Sequence, residues 1–251
     1  MDSDFSSFGR SHGQGLRLKN DPQHPIIMRY GPKHKLETHQ KIVKDASRRV
    51  RAEGLSGAAV SAVMKDAGLT HGGFYKHFSS KDDLLLESLR EGFREIEETL
   101  VHAAEQSPPG EAWKAVVRTY LSLDLCDHPE RGCPLAALSP ELARADKKMK
   151  PQIVAELVSY KTRMLPFMPG ARSAEKERAF FVIFSTMIGA VEIARMLPDR
   201  AVREKVLAGT RDFLLRSFAE RPAGHNPSSL TVSPNQDVQI ALRRRTIRLK
   251  V

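Results

Sequence analysis

The chain has 251 residues, 41% of them hydrophobic, and a formal net charge of +10. This is enough apolar material for one large helical domain or two smaller ones with a buried core. No signal-peptide pattern occurs near the N-terminus, and two cysteines cannot form a disulfide framework, so we expect a cytoplasmic protein without structural disulfides. The longest apolar region, residues 179–194, is shorter than a membrane span and is predicted to be a buried helix.

Positive charge is concentrated in two parts of the sequence. Lys and Arg exceed Asp and Glu by five in residues 33–82 and again by five in residues 221–251, whereas residues 83–220 are nearly neutral. Such clusters favour contact with an anionic partner, of which nucleic acid is one. The net charge alone does not identify that partner, so the identification has to come from a motif.

The first part of the chain is predicted to be a disordered tail followed by a helix. Residues 1–32 lack hydrophobic periodicity and are rich in turn-forming residues. A helical pattern begins at Glu37 and ends at Gly54. Its apolar face consists of Ile42, Ala46 and Val50.

Two short helices are predicted next, joined by a tight turn. The second helix is indicated by apolar residues at helical spacing, namely Val60, Val63, Met64 and Ala67. Gly68 occupies a typical C-terminal cap position. Thr70 is placed to cap the third helix by accepting a hydrogen bond from a first-turn N–H, and that helix is expected to reach about His77.

The rest of the chain is predicted to be helical. Ser79 or Ser80 caps a helix long enough to join two domains, and prolines separate further helices at about 111–128, 140–149, 151–167, 173–197 and 199–219. Ser139-Pro140-Glu141 has the pattern of a helix start. No convincing strand pattern occurs, so the fold class is predicted to be all-α. Residues 221–251 are expected to form a basic, disordered tail.

Residues 54–85 resemble the DNA-binding domain of the TetR/AcrR family. The matching positions are Ala67-Gly68, Leu69, Thr70, Phe74-Tyr75, Phe78 and Lys81. The resemblance implies a three-helix, helix-turn-helix domain at residues 33–82 and a helical bundle for effector binding and dimerisation at residues 83–220. Two positions depart from the family pattern: Ala59 removes a hydroxyl that could cap the second helix and bind phosphate, and Met64 replaces a small residue.

The predicted DNA-binding set combines small, hydroxyl-bearing and cationic residues: Thr70, His71, Gly72, Gly73, Tyr75, Lys76, His77 and Lys81. The resemblance implies that Tyr75 and Lys81 bind phosphates, and that His71 and Lys76 or His77 read bases. The alternative to phosphate binding is that Tyr75 is a packed aromatic residue and that Lys81 is a solvated cation. Two successive glycines in a short helix cost about 1 kcal/mol each relative to alanine. Close approach to DNA would explain them, and a mere lengthening of the turn is the alternative.

The resemblance also implies the partners. We expect a repressor that binds a double-stranded DNA operator as a homodimer, with helices at about 173–197 and 199–219 joining the two protomers. A small-molecule effector is expected to release the repressor from the operator. Effector-pocket candidates are the large or polarisable residues of the second domain, Trp113, Tyr120, Cys126, Cys133, Met164 and Phe167. No membrane partner is expected.

Two alternatives and several absences complete the prediction. Cys126, His128 and Cys133 do not have the spacing of a structural zinc site, so no metal is expected. A thiol-based redox-sensing regulator through Cys126 and Cys133 is one alternative, since the neighbouring Arg131 would favour the thiolate of Cys133. A nonspecific basic DNA-binding protein that uses its charged tails is the other. Catalytic motifs are absent from the sequence, so neither an enzyme nor a cofactor is expected.

Overall fold

A computed structural model describes residues 32–219; the predicted N-terminal tail, apart from residue 32, and the basic tail at 221–251 lie outside these residues. Within the described range the chain forms nine α-helices and four short 3₁₀ segments, without a strand. The all-α prediction is therefore confirmed.

The first elements form a small, separate core. Helix α1 spans Pro32–Glu53 and ends at Gly54, and helix α2 spans Val60–Asp66. Gly54 and Gly68 both have positive φ, +76° and +75°, which glycine adopts without steric cost. The buried residues of this core are Ile42, Val43, Ala46, Val63, Met64, Phe74, Phe78 and Leu84. The predicted C-terminal ends of the first two helices are confirmed, whereas α1 begins at Pro32 rather than at the predicted Glu37.

The third element differs from its prediction. His71–Lys76 is a 3₁₀ helix, and Thr70 precedes it in an extended conformation with no side-chain hydrogen bond to the first turn. Thr70 therefore lies at the predicted cap position without acting as a side-chain cap. The segment is too short and too rich in glycine to stabilise α-helical turns, so its backbone closes in tighter turns, such as that between the Gly73 N–H and the Thr70 carbonyl oxygen at 2.9 Å.

Helix α3, Lys81–Glu105, joins the small core to the rest of the molecule. The Ser80 hydroxyl caps it by accepting a hydrogen bond from the Asp83 N–H at 3.1 Å. Leu84 packs in the small core, whereas Phe93 and Leu100 pack in the main core further along the helix. At 25 residues the helix is about 37 Å long, as predicted for an element that connects two domains.

Six further helices follow α3: α4 (Ala112–Tyr120), α5 (Leu123–Asp127), α6 (Leu135–Ala143), α7 (Lys150–Met164), α8 (Ser173–Met196) and α9 (Arg200–Ser217). The helix predicted at 111–128 is divided into α4 and α5. The division occurs at Ser122, whose hydroxyl accepts a hydrogen bond from the Leu125 N–H at 3.2 Å and starts α5. The two predicted C-terminal helices are confirmed as α8 and α9.

The prediction of a helix at 140–149 is wrong. Pro140 lies inside α6 rather than at a helix start. Proline cannot donate the hydrogen bond that the Ala136 carbonyl oxygen would otherwise receive. Arg195 of α8 donates to that oxygen instead, from Nη1 at 3.1 Å, so a distant side chain compensates for the proline.

Helix α8 corrects another prediction. By length and composition its 24 residues could cross a membrane, so the apolar region is longer than the sequence indicated. One side of the helix nevertheless packs in the main core, through Ile183, Phe184 and Met187 among others. The prediction of a core helix is thereby confirmed for that side.

Candidate nucleic-acid interface and effector site

The His71–Lys76 segment separates buried aromatic residues from exposed polar ones. Phe74 and Phe78 are only 2% and 3% exposed, and their ring centroids lie 5.3 Å apart. Tyr75, between them in sequence, is 72% exposed, and Lys76 is exposed as well. The two phenylalanines thus anchor the segment and turn the phenol of Tyr75 towards solvent, as a phosphate-binding role requires.

Neither glycine of the segment is required by the fold of this chain. Gly72 and Gly73 both have negative φ, so their backbone conformation is open to other residues. A methyl group on Gly72 would meet nothing within 4 Å, and one on Gly73 would make an ordinary contact with the Met64 side chain at 3.6 Å. Packing therefore gives no reason to exclude alanine, which favours close approach by a partner outside the chain.

The remaining predicted residues lie on either side of this segment. Thr70 and Lys81 are exposed, and Lys81 is the first residue of α3. The same turn carries Asp82 and Asp83, which complement the positive end of the helix dipole whereas Lys81 opposes it. At Ala59, the N-cap of α2, no side-chain hydrogen bond forms. The predicted loss of a cap at that position is confirmed.

His77 is half-buried and belongs partly to the core. Its Nδ1 atom is buried and has no hydrogen-bond partner, and its ring lies 6.0 Å from that of His39. His39 in turn stacks on Phe78 at 4.7 Å and shares a hydrogen bond with Glu87 at 2.6 Å. Burial lowers the pKa of His77, and His39, Lys35 and Lys76 lower it further. The side chain is thus less free to read a base than the sequence indicated.

The His77 environment predicts that the folded protein loses stability in mild acid. Because the pKa of His77 is lowered from its ordinary value of 6.5, the unfolded chain binds this proton more readily than the folded one. The contribution of the neutral ring is complete above about pH 6.5 and is lost as the pH falls through the folded-state pKa. Urea midpoints at about pH 7.5 and pH 5.5 measure the loss, which we expect to be smaller in His77→Asn. An identical pH dependence in that variant would contradict the assignment.

Arg51, which sequence reasoning missed, joins the small core to the second domain. This residue is only 2% exposed. The Nη1 atom donates to the Gly132 carbonyl oxygen at 3.0 Å, and the Nε atom donates to the Ser47 carbonyl oxygen at 3.1 Å. The Nη2 atom pairs with the carboxylate of Glu95. A second link runs from Glu141 of α6, whose carboxylate accepts the Leu55 N–H at 3.2 Å. The available signal was a charged residue beside the apolar positions of α1.

The predicted effector residues lie in the packed main core or against it. Five of the six are buried in the main core and Phe167 packs partly buried against it: Trp113, Tyr120, Cys126, Cys133, Met164 and Phe167. Tyr120 and Cys133 line a cavity of about 10 Å³ together with Arg195, room for about one water molecule.

The cysteine environment differs from its prediction. Cys126 and Cys133 are free and buried, and burial raises the pKa of both thiols. Arg131 pairs with Asp124 at 2.8 Å rather than activating Cys133. The physical reason given for a thiolate is therefore wrong. No group of three potential metal ligands occurs within residues 32–219.

A larger cleft lies between α7 and α8, with a volume of about 220 Å³. Its lining is mostly apolar and aromatic: Leu135, Leu157, Val158, Tyr160, Lys161, Phe180, Phe181, Phe184, Ser185 and Ile188. None of the six predicted effector residues is among them. Sequence periodicity could mark these positions only as helical and apolar, because the cleft depends on how two helices separate.

Helices α8 and α9 also expose apolar side chains on the outside of the bundle. These are Phe181, Val182, Ile193 and Met196 on α8, and Val202 and Phe213 on α9. Each helix also contains a glycine, Gly189 or Gly209, at which an added methyl group would meet nothing within 4 Å. We call this set the α8–α9 face. Intrachain packing explains neither its apolar side chains nor its glycines.

Comparison with known proteins gives a family model and solved structures of similar fold. Residues 42–88 match the model described as "Bacterial regulatory proteins, tetR family". Similar structures include a TetR-family transcriptional regulator from Cytophaga hutchinsonii, 17% identical with a TM-score of 0.60 over 75% of this chain and 98% of that one. A TetR transcriptional regulator from Chloroflexus aurantiacus has 20% identity and a TM-score of 0.60 over 75% and 98% of the two chains. The regulator FadR from Bacillus subtilis, in complex with stearoyl-CoA, has 19% identity and a TM-score of 0.54 over 73% and 100%. No curated protein matches the chain.

Proposed function

We propose that this chain is a DNA-binding regulator of transcription of the TetR family, and that it is a repressor released from its operator by a small-molecule effector. We further propose residues 33–82 as the DNA-binding domain and residues 83–220 as the effector-binding and dimerisation domain. Regulators of this family are generally soluble, cytoplasmic and not enzymes, and we propose the same for this chain.

One observation carries the DNA-binding proposal: the exposed phenol of Tyr75 and the exposed Lys76 project from a segment held by two buried phenylalanines, and the exposed Lys81 follows at the start of α3. A rigid base for Tyr75 and Lys81 reduces the entropy lost when they bind phosphates. The flanking Gly72 leaves the backbone open to close approach. These contacts would fix the position of the segment in the major groove, and base recognition would fall to its remaining side chains.

A gel-shift assay on the upstream region of the protein's own gene tests this proposal. Lys81→Met should weaken binding and lower the salt dependence, the slope of log affinity against log salt, by about 1, because one phosphate contact is lost. Tyr75→Phe should weaken binding by removing one hydroxyl donor. Lys147→Met, an exposed lysine of the second domain, is the matched control and should retain the full slope. Unchanged binding in both Tyr75→Phe and Lys81→Met would contradict the proposed interface.

We propose that the α8–α9 face is the homodimer interface. A glycine inside a helix costs about 1 kcal/mol relative to alanine, and here no neighbour within the chain requires it. A partner helix in close contact would explain Gly189 and Gly209 together with the six exposed apolar side chains. A two-fold dimer also suits an operator with two half-sites about one helical turn apart.

A nonspecific mode of DNA binding is the second candidate, supported by the excess of five positive charges in residues 221–251. Removal of those residues separates the two candidates. Binding to scrambled DNA should fall in the truncated protein, since counterion release by the tail is independent of sequence. Selective loss of operator binding by Lys81→Met, with the tail still present, would favour the operator-specific proposal.

A further inference from the structure

We propose that the cleft between α7 and α8 binds a small, uncharged aromatic molecule, and that this molecule is the effector. The inference rests on the proposed function only in naming the ligand an effector, because the binding site itself is argued from the cleft. The volume of about 220 Å³ exceeds the roughly 150 Å³ of an engineered apolar cavity that binds benzene. One or two rings therefore fit.

Aromatic rings form much of the cleft wall. The ring centroids of Phe180 and Phe184 lie 4.5 Å apart, and Tyr160 meets Phe184 edge-on at 5.6 Å. Phe181 adds a further ring that is 54% exposed. Both ring faces and ring edges are thus offered to a ligand, an arrangement that favours aromatic guests over aliphatic ones of equal size.

The charges around the cleft favour an uncharged ligand. Lys161, which lines the cleft, is already paired with Glu177, and its Nζ also lies 5.5 Å from the Phe181 ring centroid. An anionic ligand would have to displace Glu177 or lose its hydration without an unpaired cation among the residues that line the cleft. A neutral molecule avoids both costs.

A buried hydroxyl gives a second, independent indication. Tyr160 lines the cleft and is 1% exposed, yet its hydroxyl has no hydrogen-bond partner among the described residues. A buried polar group without a partner costs about 1–3 kcal/mol. A phenol-like molecule is the class we favour, because a ligand hydroxyl or carbonyl group that reaches the Tyr160 hydroxyl would supply the missing partner.

The position of the cleft connects the ligand to dimer geometry. Phe181 belongs both to the cleft and to the α8–α9 face, so the cleft opens at the edge of the proposed interface. Ser185, one helical turn further on, also lines it and is exposed. A ligand seated there would contact the helix that orients the two protomers.

The test uses 1-naphthol as the probe and isothermal titration calorimetry on the full chain. Ser185→Leu fills the mouth of the cleft and should weaken 1-naphthol binding about tenfold or more. Thr162→Leu is the matched control, because Thr162 on α7 neither lines the cleft nor belongs to the α8–α9 face, and both hydroxyls donate to a carbonyl oxygen four residues earlier, at 2.6 Å for Ser185 and 2.8 Å for Thr162. The control should bind 1-naphthol as the parent protein does. The anionic probe 1-naphthoate should bind the parent about tenfold more weakly than 1-naphthol.

Three outcomes would each overturn the cleft proposal. The first is that the parent protein does not bind 1-naphthol, as expected if a second copy of the chain fills the cleft. The others are that the two leucine variants bind 1-naphthol equally well, or that the parent protein binds 1-naphthoate more tightly than 1-naphthol. Operator binding is measured in a separate gel shift. Absence of operator binding by the parent protein, with calorimetry as expected, would contradict the proposed function and leave the cleft as a ligand site.

Discussion

Replacing Arg51 by methionine is expected to lower the free energy of unfolding by about 3–5 kcal/mol, since removal of one partner from a buried ion pair leaves the other charge uncompensated. The Glu95 side chain, which pairs with Arg51, is only 18% exposed. Methionine retains an unbranched apolar side chain but loses the hydrogen bonds to the carbonyl oxygens of Ser47 and Gly132. Urea unfolding followed by circular dichroism measures the change.

Arg94→Met is the matched control for this effect. Arg94 pairs with Glu91 and Glu98 on its own helix, and its side chain is 50% exposed, so its loss should cost less than about 1 kcal/mol. Glu95→Gln should be less damaging than Arg51→Met, because the arginine keeps its two carbonyl partners. Equal costs for Arg51→Met and Arg94→Met would show that burial adds nothing to the Arg51 pair.

The same arginine lies on a continuous set of contacts between the two functional regions. Arg51 of α1 binds the Gly132 carbonyl oxygen, and a methyl group on Gly132 would come within 2.9 Å of Arg195 Nη2. Arg195 belongs to α8 and donates to the carbonyl oxygens of Leu125, Cys126 and Ala136. If an effector binds as proposed, a shift of α8 would therefore act directly on the loop that holds the proposed DNA-binding domain.

The features predicted correctly from the sequence have local causes. Gly54 and Gly68 end their helices because the backbone there requires positive φ, and Ser80 caps α3 through a neighbour three residues away. Phe74 and Phe78, four residues apart, are both buried and face the small core. Tyr75 and Lys76, which follow Phe74 directly, face outward, whereas His77, next to Phe78, is half-buried.

The features that were missed depend on contacts between distant residues. Pro140 is tolerated inside α6 because Arg195 binds the Ala136 carbonyl oxygen across 59 residues of sequence. The buried state of Arg51 requires Gly132, 81 residues away. The α7–α8 cleft likewise reflects the separation of two helices, whereas large side chains such as Trp113 fill the core. Residue type alone does not distinguish a cavity wall from a packed interior.

Conversion of the proposed dimer to a monomer is expected to have the largest effect on operator binding. Phe213 of the α8–α9 face is 56% exposed in the single chain. If this face joins two protomers, each Phe213 becomes buried in the dimer, and a carboxylate at the same position would lose its hydration without gaining a cation. Phe213→Glu should then be monomeric in sedimentation experiments at micromolar concentration.

The affinity of Phe213→Glu for the operator should fall about 100-fold or more. A monomer binds only one half-site, so it loses the high effective concentration at which a joined second protomer binds the other half-site. The matched control is Val154→Glu on α7, where the parent side chain is 54% exposed and outside the α8–α9 face; it should remain a dimer with nearly unchanged affinity. The two variants carry the same added charge, so a general electrostatic effect on DNA binding would weaken both alike and would contradict the dimer explanation. A monomeric Phe213→Glu that still binds the operator as tightly as the parent would show that one protomer is sufficient, and the two-fold arrangement would have to be abandoned.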